Sequence, residues 1–336
     1  MQATQPAPAS PELDKHKTSF WQSPWATYLG LFLVLLALIA FFSLKSEYFW
    51  SSDTFVTIAN EIPGLAVMAV GMTFVLIIAG IDLSVGSVLA LSAAVSAVAI
   101  LQWSWSPVVA GLFALSVGLV CGTVNGAISV IWKIPSFIVS LGLLEAIRGS
   151  AYLVTDSRTQ YVGSAMGGLA QPISAGFGGI SLAFMVALMV VVLGHILLTR
   201  TIFGRYMIGI GTNEEAMRLA GIDPRPIRIS VFAAMGLLAA LAGLMQAARL
   251  EAADPNAGVG IELKVIAAVV IGGTSLMGGR GSVVATFFGV LIIAVLEAGL
   301  AQIGASEPSK RIITGVVIVV AVIIDTLRQR RLQTAH

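Results

Sequence analysis

The sequence is poor in the residue types that carry catalysis and metal binding. Its 336 residues include one cysteine, Cys121, and three histidines, at positions 16, 195 and 336. One cysteine excludes an internal disulfide, and three separated histidines offer no metal-ligand spacing. Residues 278–282 read GGRGS, which lacks the lysine of a P-loop, and a G-x-S-x-G motif is absent. We therefore expect no catalytic residues, no metal and no cofactor bound by this chain itself.

Charge is also scarce. Only 11% of the residues are charged, 57% are apolar and the mean hydropathy is +0.94, values typical of polytopic membrane proteins. The net charge of +2 gives no indication of nucleic-acid binding. About ten apolar stretches approach the length needed to cross a bilayer, at 25–44, 58–81, 85–101, 107–132, 136–154, 180–198, 227–249, 263–276, 283–303 and 312–327. The sequence predicts an all-α membrane protein with a single transmembrane domain over residues 25–328.

The distribution of lysine and arginine predicts the orientation. If the N-terminus is cytoplasmic, most of the basic residues fall in cytoplasmic segments, and an even number of spans also places the Arg-rich C-terminus inside. Residues 1–24, rich in Ala, Pro and Ser, are predicted to be a disordered cytoplasmic extension, and residues 329–336 a cytoplasmic tail. No signal-peptide cleavage site follows the first span.

A short capped helix is predicted in the polar loop at residues 199–228. Asn213 is a good N-cap, Glu214 and Glu215 favour the positive end of the helix dipole, and Gly221 suits a left-handed C-terminal position. About seven helical residues are too few for stability in isolation, so this helix must pack against something. Its small apolar face consists of Ala216, Leu219 and Ala220. Two interpretations stay open: docking onto a soluble partner, or packing on the protein's own membrane face.

Glycine is frequent in the chain, with 35 residues, and its spacing in the predicted spans is informative. Gly118, Gly122 and Gly126 repeat at four-residue intervals, which permits close helix approach; packing within one subunit is favoured over a dimer contact. Glycine-rich breaks interrupt the apolar pattern at residues 80–87 and 272–282. Such breaks occur beside substrate paths in transporters. Ordinary turns near the cytoplasmic boundary are the alternative.

Polar and ionisable residues inside spans are functional candidates because their burial in lipid is costly. Glu145 and Arg148 lie three residues apart and could pair on one helical face, which we favour as a structural pair. Glu297 has no obvious partner on its own helix, so it faces either a hydrated cavity or a basic group elsewhere. The predicted substrate-pathway residues are Asn60, Asp82, Ser84, Asn125, Glu145, Arg148, Thr274, Ser275 and Glu297.

Several motifs together resemble the ribose-type permease subunits of bacterial sugar ABC importers. They are GMTFV at 71–75, GIDLSVGS at 80–87, GRY at 204–206, GTNEEA at 211–216, AGI at 220–222, IAAVVIGGTSL at 266–276 and GG at 278–279. The resemblance extends from about residue 45 to 328. It implies a type II-like permease in the inner membrane that forms a dimer with a second copy of itself. It further implies a cytoplasmic ABC ATPase that binds ATP and Mg, and an external sugar-binding protein.

The resemblance also identifies the short helix as the coupling helix that docks on the ATPase. The residues assigned to this role are Asn213, Glu214, Glu215, Ala216, Arg218, Leu219, Ala220 and Gly221. The expected solute is a monosaccharide or related polyol: a ribose-like pentose, a hexose or a cyclitol. The family tends to carry an uncharged amide at the position of Glu297, so the identity of the solute stays open. The alternative function is an ion-coupled secondary sugar carrier, served by the intramembrane Glu145 and Glu297.

Overall fold

Residues 24–163 and 179–333 of the chain are described here from a computed structural model. They are mainly helical. The helices are α1 (Pro24–Lys45), α2 (Ser52–Glu61), α3 (Pro63–Ile77), α4 (Val85–Leu101), α5 (Pro107–Ile131), α6 (Ser136–Val154), α7 (Leu182–Arg200), α8 (Ile202–Thr212), α9 (Glu214–Leu219), α10 (Pro224–Leu250), α11 (Ile261–Ile271), α12 (Val283–Gln302) and α13 (Glu307–Gln333). Two short antiparallel strands, β1 (Gln160–Tyr161) and β2 (Ala252–Ala253), pair with each other. The predicted N-terminal extension lies almost wholly outside the described residues.

Helices of membrane-spanning length confirm the predicted class. Among the described residues, six helices are long and apolar enough to cross a bilayer, and the α2–α3 pair makes a seventh if it counts as one bent span. That pair bends by 48° at Ile62, directly before Pro63. The predicted stretches at 85–101 and 263–276 correspond to shorter helices, α4 of 17 residues and α11 of 11 residues. The protein is therefore a helical membrane protein, and the number of ten crossings stays a prediction.

The long helix α10 lies at the centre of the fold, where it packs against α3, α4 and α5. The three spaced glycines of α5 all face it. An added Cβ at Gly118 would overlap the Gly236 carbonyl group, one at Gly122 would overlap the Phe232 carbonyl oxygen, and one at Gly126 would press on Ile229. The two backbones thus approach too closely for any side chain between them. This arrangement confirms the interpretation that the glycine repeat serves packing inside one subunit.

The two glycine-rich breaks meet at one end of the molecule, the end that also carries α9. The Gly279 amide donates a 2.8 Å hydrogen bond to the Ile77 carbonyl oxygen at the end of α3. Gly278 and Gly279 both have positive φ, and a Cβ on Gly211 of α8 would overlap that same Ile77 carbonyl oxygen. We call Ile77, Gly211, Gly278 and Gly279 the glycine joint. It connects α3, α8 and the α11–α12 break through backbone contacts.

Candidate coupling helix and solute cavity

Helix α9 has the ends that the sequence predicts. The Asn213 side chain accepts a 2.9 Å hydrogen bond from the Ala216 amide at its start. Gly221, just past its end, has φ +82°, a conformation that costs glycine little. The helix contains 6 residues, Glu214–Leu219. Local capping chemistry therefore defines α9 at both ends.

Two contacts attach α9 to the rest of the protein. Met217 is partly buried against the core, with its sulfur next to Gly209 of α8. Glu214 bridges two arginines, at 2.6 Å to Arg228 of α10 and 3.2 Å to Arg218 within α9. Arg218 lies also 3.5 Å from the Glu215 carboxylate. The orientation of α9 is thus fixed by one apolar anchor and one charged bridge.

The face of α9 that was predicted to dock a partner points away from the protein. Ala216, Leu219 and Ala220 are all exposed, and the Leu219 side chain is 82% exposed. An isolated apolar side chain at this exposure gains nothing from its own fold. The self-packing interpretation therefore applies to Met217, whereas the predicted docking face is free to bind.

A cavity of about 1040 Å³ lies towards the opposite end of the molecule, between α2, α3, α5, α7, α10, α11 and α12. Its walls are mostly apolar. Its polar and charged lining residues are Asn60, Glu61, Ser181, Gln246, Arg249, Lys264 and Glu297. A volume of this size exceeds what one monosaccharide needs, as expected for a vestibule rather than a closed binding site.

Two ion pairs line the cavity. Lys264 Nζ of α11 lies 2.6 Å from Glu297 Oε1 of α12, with the two side chains 41% and 34% exposed. Arg249 Nη1 lies 3.5 Å from Glu61 Oε1. Both alternatives for Glu297 therefore apply, since it faces a cavity and also pairs with a basic group. Lys264 and Arg249 were absent from the predicted site, although a lysine inside the apolar stretch at 263–276 is a signal that could have found it.

The Asn60 amide lines the cavity but has both of its ends occupied. Nδ2 donates to the Gly179 carbonyl oxygen at 2.9 Å, and Oδ1 accepts from the Ser181 amide at 2.7 Å. These bonds fix the chain that enters α7 against α2. In this conformation Asn60 stabilises the cavity wall through these two hydrogen bonds.

The remaining polar candidates, at the two breaks and on α5, do not line this cavity. Asp82, Ser84 and Asn125 are buried together, and Asp82 Oδ1 accepts hydrogen bonds from the Ser84 amide at 2.9 Å and the Ser84 hydroxyl at 2.6 Å. Thr274 and Ser275 are equally buried at the second break, where the Ser275 hydroxyl oxygen accepts from the Met277 amide at 3.2 Å. The Asp82 and Ser275 side chains therefore organise the backbone around the breaks, whereas the Asn125 amide and the Thr274 hydroxyl are buried without a hydrogen-bond partner among the described residues.

The predicted pairing of Glu145 with Arg148 is wrong. Arg148 Nη1 instead donates two 2.7 Å hydrogen bonds, to the carbonyl oxygens of Pro255 and Ala257. Glu145 is exposed on the surface of α6 and forms no ion pair within the described part of the chain. The guanidinium thus binds two carbonyl groups of the loop that precedes α11 rather than the carboxylate one turn away on its own helix. Arg148 therefore holds the loop that leads into α11.

This correction gives a prediction. Arg148→Leu should lower the free energy of unfolding by about 2 kcal/mol, since two hydrogen bonds from a charged donor are lost. Glu145→Leu, on the same helix, should change it by less than about 0.5 kcal/mol. Thermal unfolding of the purified protein in detergent measures both. Recovery of stability in the Glu145→Leu/Arg148→Leu double variant would contradict this account and restore the ion pair.

Most of the chain matches a known protein family. A family described as the permease component of branched-chain amino acid transport systems matches residues 54–322. The chain belongs to this permease family. The matched range contains α9, both glycine-rich breaks and all of the charged residues that line the cavity. The permease is thus a membrane transport subunit rather than an enzyme.

The relatives of the permease include sugar transporters. It is 37% identical over 317 residues to the ribose import permease protein RbsC of Escherichia coli (strain K12), covering 92% of the permease and 97% of the relative. It is 40% identical over 300 residues to RbsC of Haemophilus influenzae, covering 88% and 91%. It is 33% identical over 301 residues to the fructose import permease protein FrcC of Rhizobium meliloti, covering 88% and 84%. No solved structure matches the permease. The resemblance to ribose-type permeases is confirmed.

Proposed function

We propose that the permease is the transmembrane subunit of a bacterial ATP-binding-cassette importer for a monosaccharide or related polyol. In this proposal it works in the inner membrane as a homodimer of ten-span, type II-like subunits with both termini in the cytoplasm. A separate cytoplasmic ATPase binds ATP and Mg and hydrolyses the ATP. An external binding protein delivers the sugar. The end of the molecule that carries α9 is then cytoplasmic, and the cavity opens towards the external side.

The exposed face of α9 is the observation that carries the proposal. A secondary carrier has no need of a capped, outward-facing helix in its cytoplasmic loop, whereas an ABC permease must present a surface that its ATPase pushes. Ala216, Leu219 and Ala220 offer that surface, and the Glu214 bridge to Arg228 passes a displacement of α9 to α10. Rigid elements with discrete contacts are what transmit such movements.

The glycine joint supplies a second route from α9 into the membrane domain. Helix α8 ends where α9 begins, and Gly211 of α8 lies against Ile77 and Gly278. A shift of α8 therefore reaches α3 on one side and the α11–α12 break on the other. Helices α11 and α12 carry Lys264 and Glu297, the closer ion pair of the cavity. We infer that ATPase movement changes the shape of the cavity along this route.

The cavity lining supports an uncharged solute. Two basic and two acidic side chains balance each other, Arg249 and Lys264 against Glu61 and Glu297. Each pair keeps lone pairs and N–H groups directed at the cavity, and such groups bind the hydroxyls of a sugar in either direction. The relatives named for ribose and fructose support the same class.

Transport in proteoliposomes tests the proposal. The permease is reconstituted with its ATPase and binding protein, and uptake of labelled ribose, fructose and myo-inositol is measured with ATP or a non-hydrolysable analogue. We expect uptake of at least one of these solutes to require ATP hydrolysis and to be unaffected by an uncoupler. Uptake by the permease alone that an uncoupler abolishes would support the ion-coupled carrier instead.

The cavity assignment makes a separate prediction about Glu297. Glu297→Gln keeps the shape and the hydrogen-bonding capacity, so we expect a decrease in uptake of about threefold, whereas Glu297→Leu should decrease it about 30-fold because a charged hydrogen-bonding group is lost. Glu145→Leu is the matched control, since this carboxylate is exposed on α6 outside the cavity. Both Glu297 variants should still fold and bind the ATPase. Normal uptake by Glu297→Leu would exclude Glu297 from the solute path.

A further inference from the structure

A second concave site, separate from the cavity, lies at the α9 end of the molecule. It has a volume of about 440 Å³ and is formed by the α3–α4 loop, the end of α5, the start of α6, α9 and the start of α10. We call it the basic pocket. Its lining residues are Ala79, Ile81, Ser129, Val130, Lys133, Ile134, Pro135, Ser136, Phe137, Glu214, Arg218, Arg225 and Arg228.

The basic pocket carries an excess of positive charge. Four lysine and arginine side chains line it, against the single carboxylate of Glu214. That carboxylate is already shared between Arg218 and Arg228. Lys133 and Arg225 form no ion pair with any of the residues that the structure describes. Two cations thus converge on one concave site without a counter-ion, and such a site attracts an anion.

The start of α6 adds to this potential. Helix α6 has 19 residues, and its N-cap is Pro135, which provides no side-chain acceptor for the first amides. The Ser136 hydroxyl oxygen instead accepts a 2.9 Å hydrogen bond from the Ile81 amide. The uncapped positive end of this long helix therefore borders the same pocket as Lys133.

Exposed apolar side chains lie next to the lining residues of the basic pocket in the chain, and they indicate the class of ligand. Ile131 and Trp132 at the end of α5 are each 64% exposed, and Phe137 and Ile138 at the start of α6 are also exposed. An exposed tryptophan beside a lysine at a helix end is typical of the bilayer interface. A free inorganic anion has no apolar part that could contact these side chains. A phospholipid, in contrast, places its phosphate among cations and its acyl chains against apolar side chains.

We propose that the basic pocket binds the phosphate-bearing headgroup of an anionic phospholipid from the cytoplasmic leaflet. The site is independent of the transported solute and goes beyond the proposed function. Arg218 and Arg228 are shared between the pocket and the Glu214 bridge, so a bound phosphate competes with Glu214 for them. Occupancy of the pocket therefore alters the charged contact that orients α9.

Lipid binding to the full-length permease tests this site without any transport measurement. Labelled phosphatidylglycerol and phosphatidylcholine are titrated into the purified protein in a neutral detergent. We expect phosphatidylglycerol to bind more tightly, and Lys133→Gln/Arg225→Gln to weaken its binding about 30-fold, the effect of two cations near a membrane surface. Arg200→Gln/Arg205→Gln is the matched control, because it removes two exposed arginines from the same end but outside the pocket.

The outcomes separate the possible ligands. Weaker binding in the pocket variant alone, with no displacement by millimolar inorganic phosphate, supports the phospholipid site. Equal weakening in the control variant would overturn it in favour of diffuse surface charge, and displacement of the lipid by inorganic phosphate would overturn it in favour of a free anion. If the double variant does not fold, the single Lys133→Gln and the charge-conserving Lys133→Arg replace it; only the first should weaken binding.

Discussion

Ala220→Arg should reduce solute uptake about 100-fold, the effect of placing an unpaired charge in a packed interface, while the amount of folded permease in the membrane stays unchanged. Ala220 is exposed at the end of α9, so a long side chain at this position can extend into solvent. In the importer that we propose, the arginine would occupy the surface that we assign to ATPase docking. Uptake in proteoliposomes and copurification of the ATPase measure the two expected losses.

A matched pair of leucines controls for surface effects. Leu219 of α9 and Leu153 of α6 are both 82% exposed, but only Leu219 belongs to the proposed docking face. Leu219→Ala should weaken ATPase binding about tenfold or more, as loss of an apolar anchor does, whereas Leu153→Ala should leave it unchanged. If the amount of folded Ala220→Arg permease in the membrane decreased as much as its solute uptake, the docking role would be contradicted. Such a decrease would mean that α9 contributes mainly to the stability of the permease.

Gly122→Leu should prevent correct folding, because it introduces a side chain where α5 and α10 touch through their backbones. The first carbon of that side chain would already overlap the Phe232 carbonyl oxygen. Overpacking of a core costs about 1–3 kcal/mol where side chains can shift, and the cost here is at the upper limit or beyond because a backbone atom must move. We expect a large loss of monodisperse protein after detergent extraction, with a lower unfolding temperature for any that remains.

Gly142→Leu is the control for this substitution. Gly142 lies in the middle of α6, and nothing is within 4 Å of the position that its Cβ would take. The change in residue type, helix propensity and apolarity is the same at both positions, so a difference in yield reports the α5–α10 contact. Normal folding of Gly122→Leu would show that these helices are further apart in the membrane.

The parts of the fold that the sequence predicts are those with local causes. The ends of α9 follow from Asn213 and Gly221, whose preferences act within a few residues. The close packing of Gly118, Gly122 and Gly126 follows from a helical repeat on one face. The α2–α3 bend was missed, because the predicted span at 58–81 runs through Asn60, Glu61 and Pro63, although these residues mark the end of one helix and the start of the next.

The contacts of the site residues could not be predicted, because they involve parts of the chain that are far away in sequence. The partners of Arg148 are carbonyl oxygens more than 100 positions away in the chain, and a sequence carries no signal for a carbonyl group. The Lys264 partner of Glu297 lies on a different helix, so neither residue indicates the other through spacing. Residue type identified Glu297 as a candidate, but only the packing of α11 against α12 defines its surroundings. Asp82 shows that a buried polar residue between two apolar helices also serves to hold a break together.

The glycine joint has a consequence for genetic screens of this permease. The Ile77 to Gly279 hydrogen bond joins two main-chain groups, and Gly211 and Gly278 contribute only the absence of a side chain. Alanine replacement of Ile77 would leave that bond in place and destabilise the protein only through the loss of a buried core side chain, while replacement of any of the three glycines would disturb the backbone contact itself. A mutational map would therefore display the joint as intolerant glycines beside one ordinary core residue, and a screen limited to side-chain truncation would not detect the backbone connection between α8 and the two breaks.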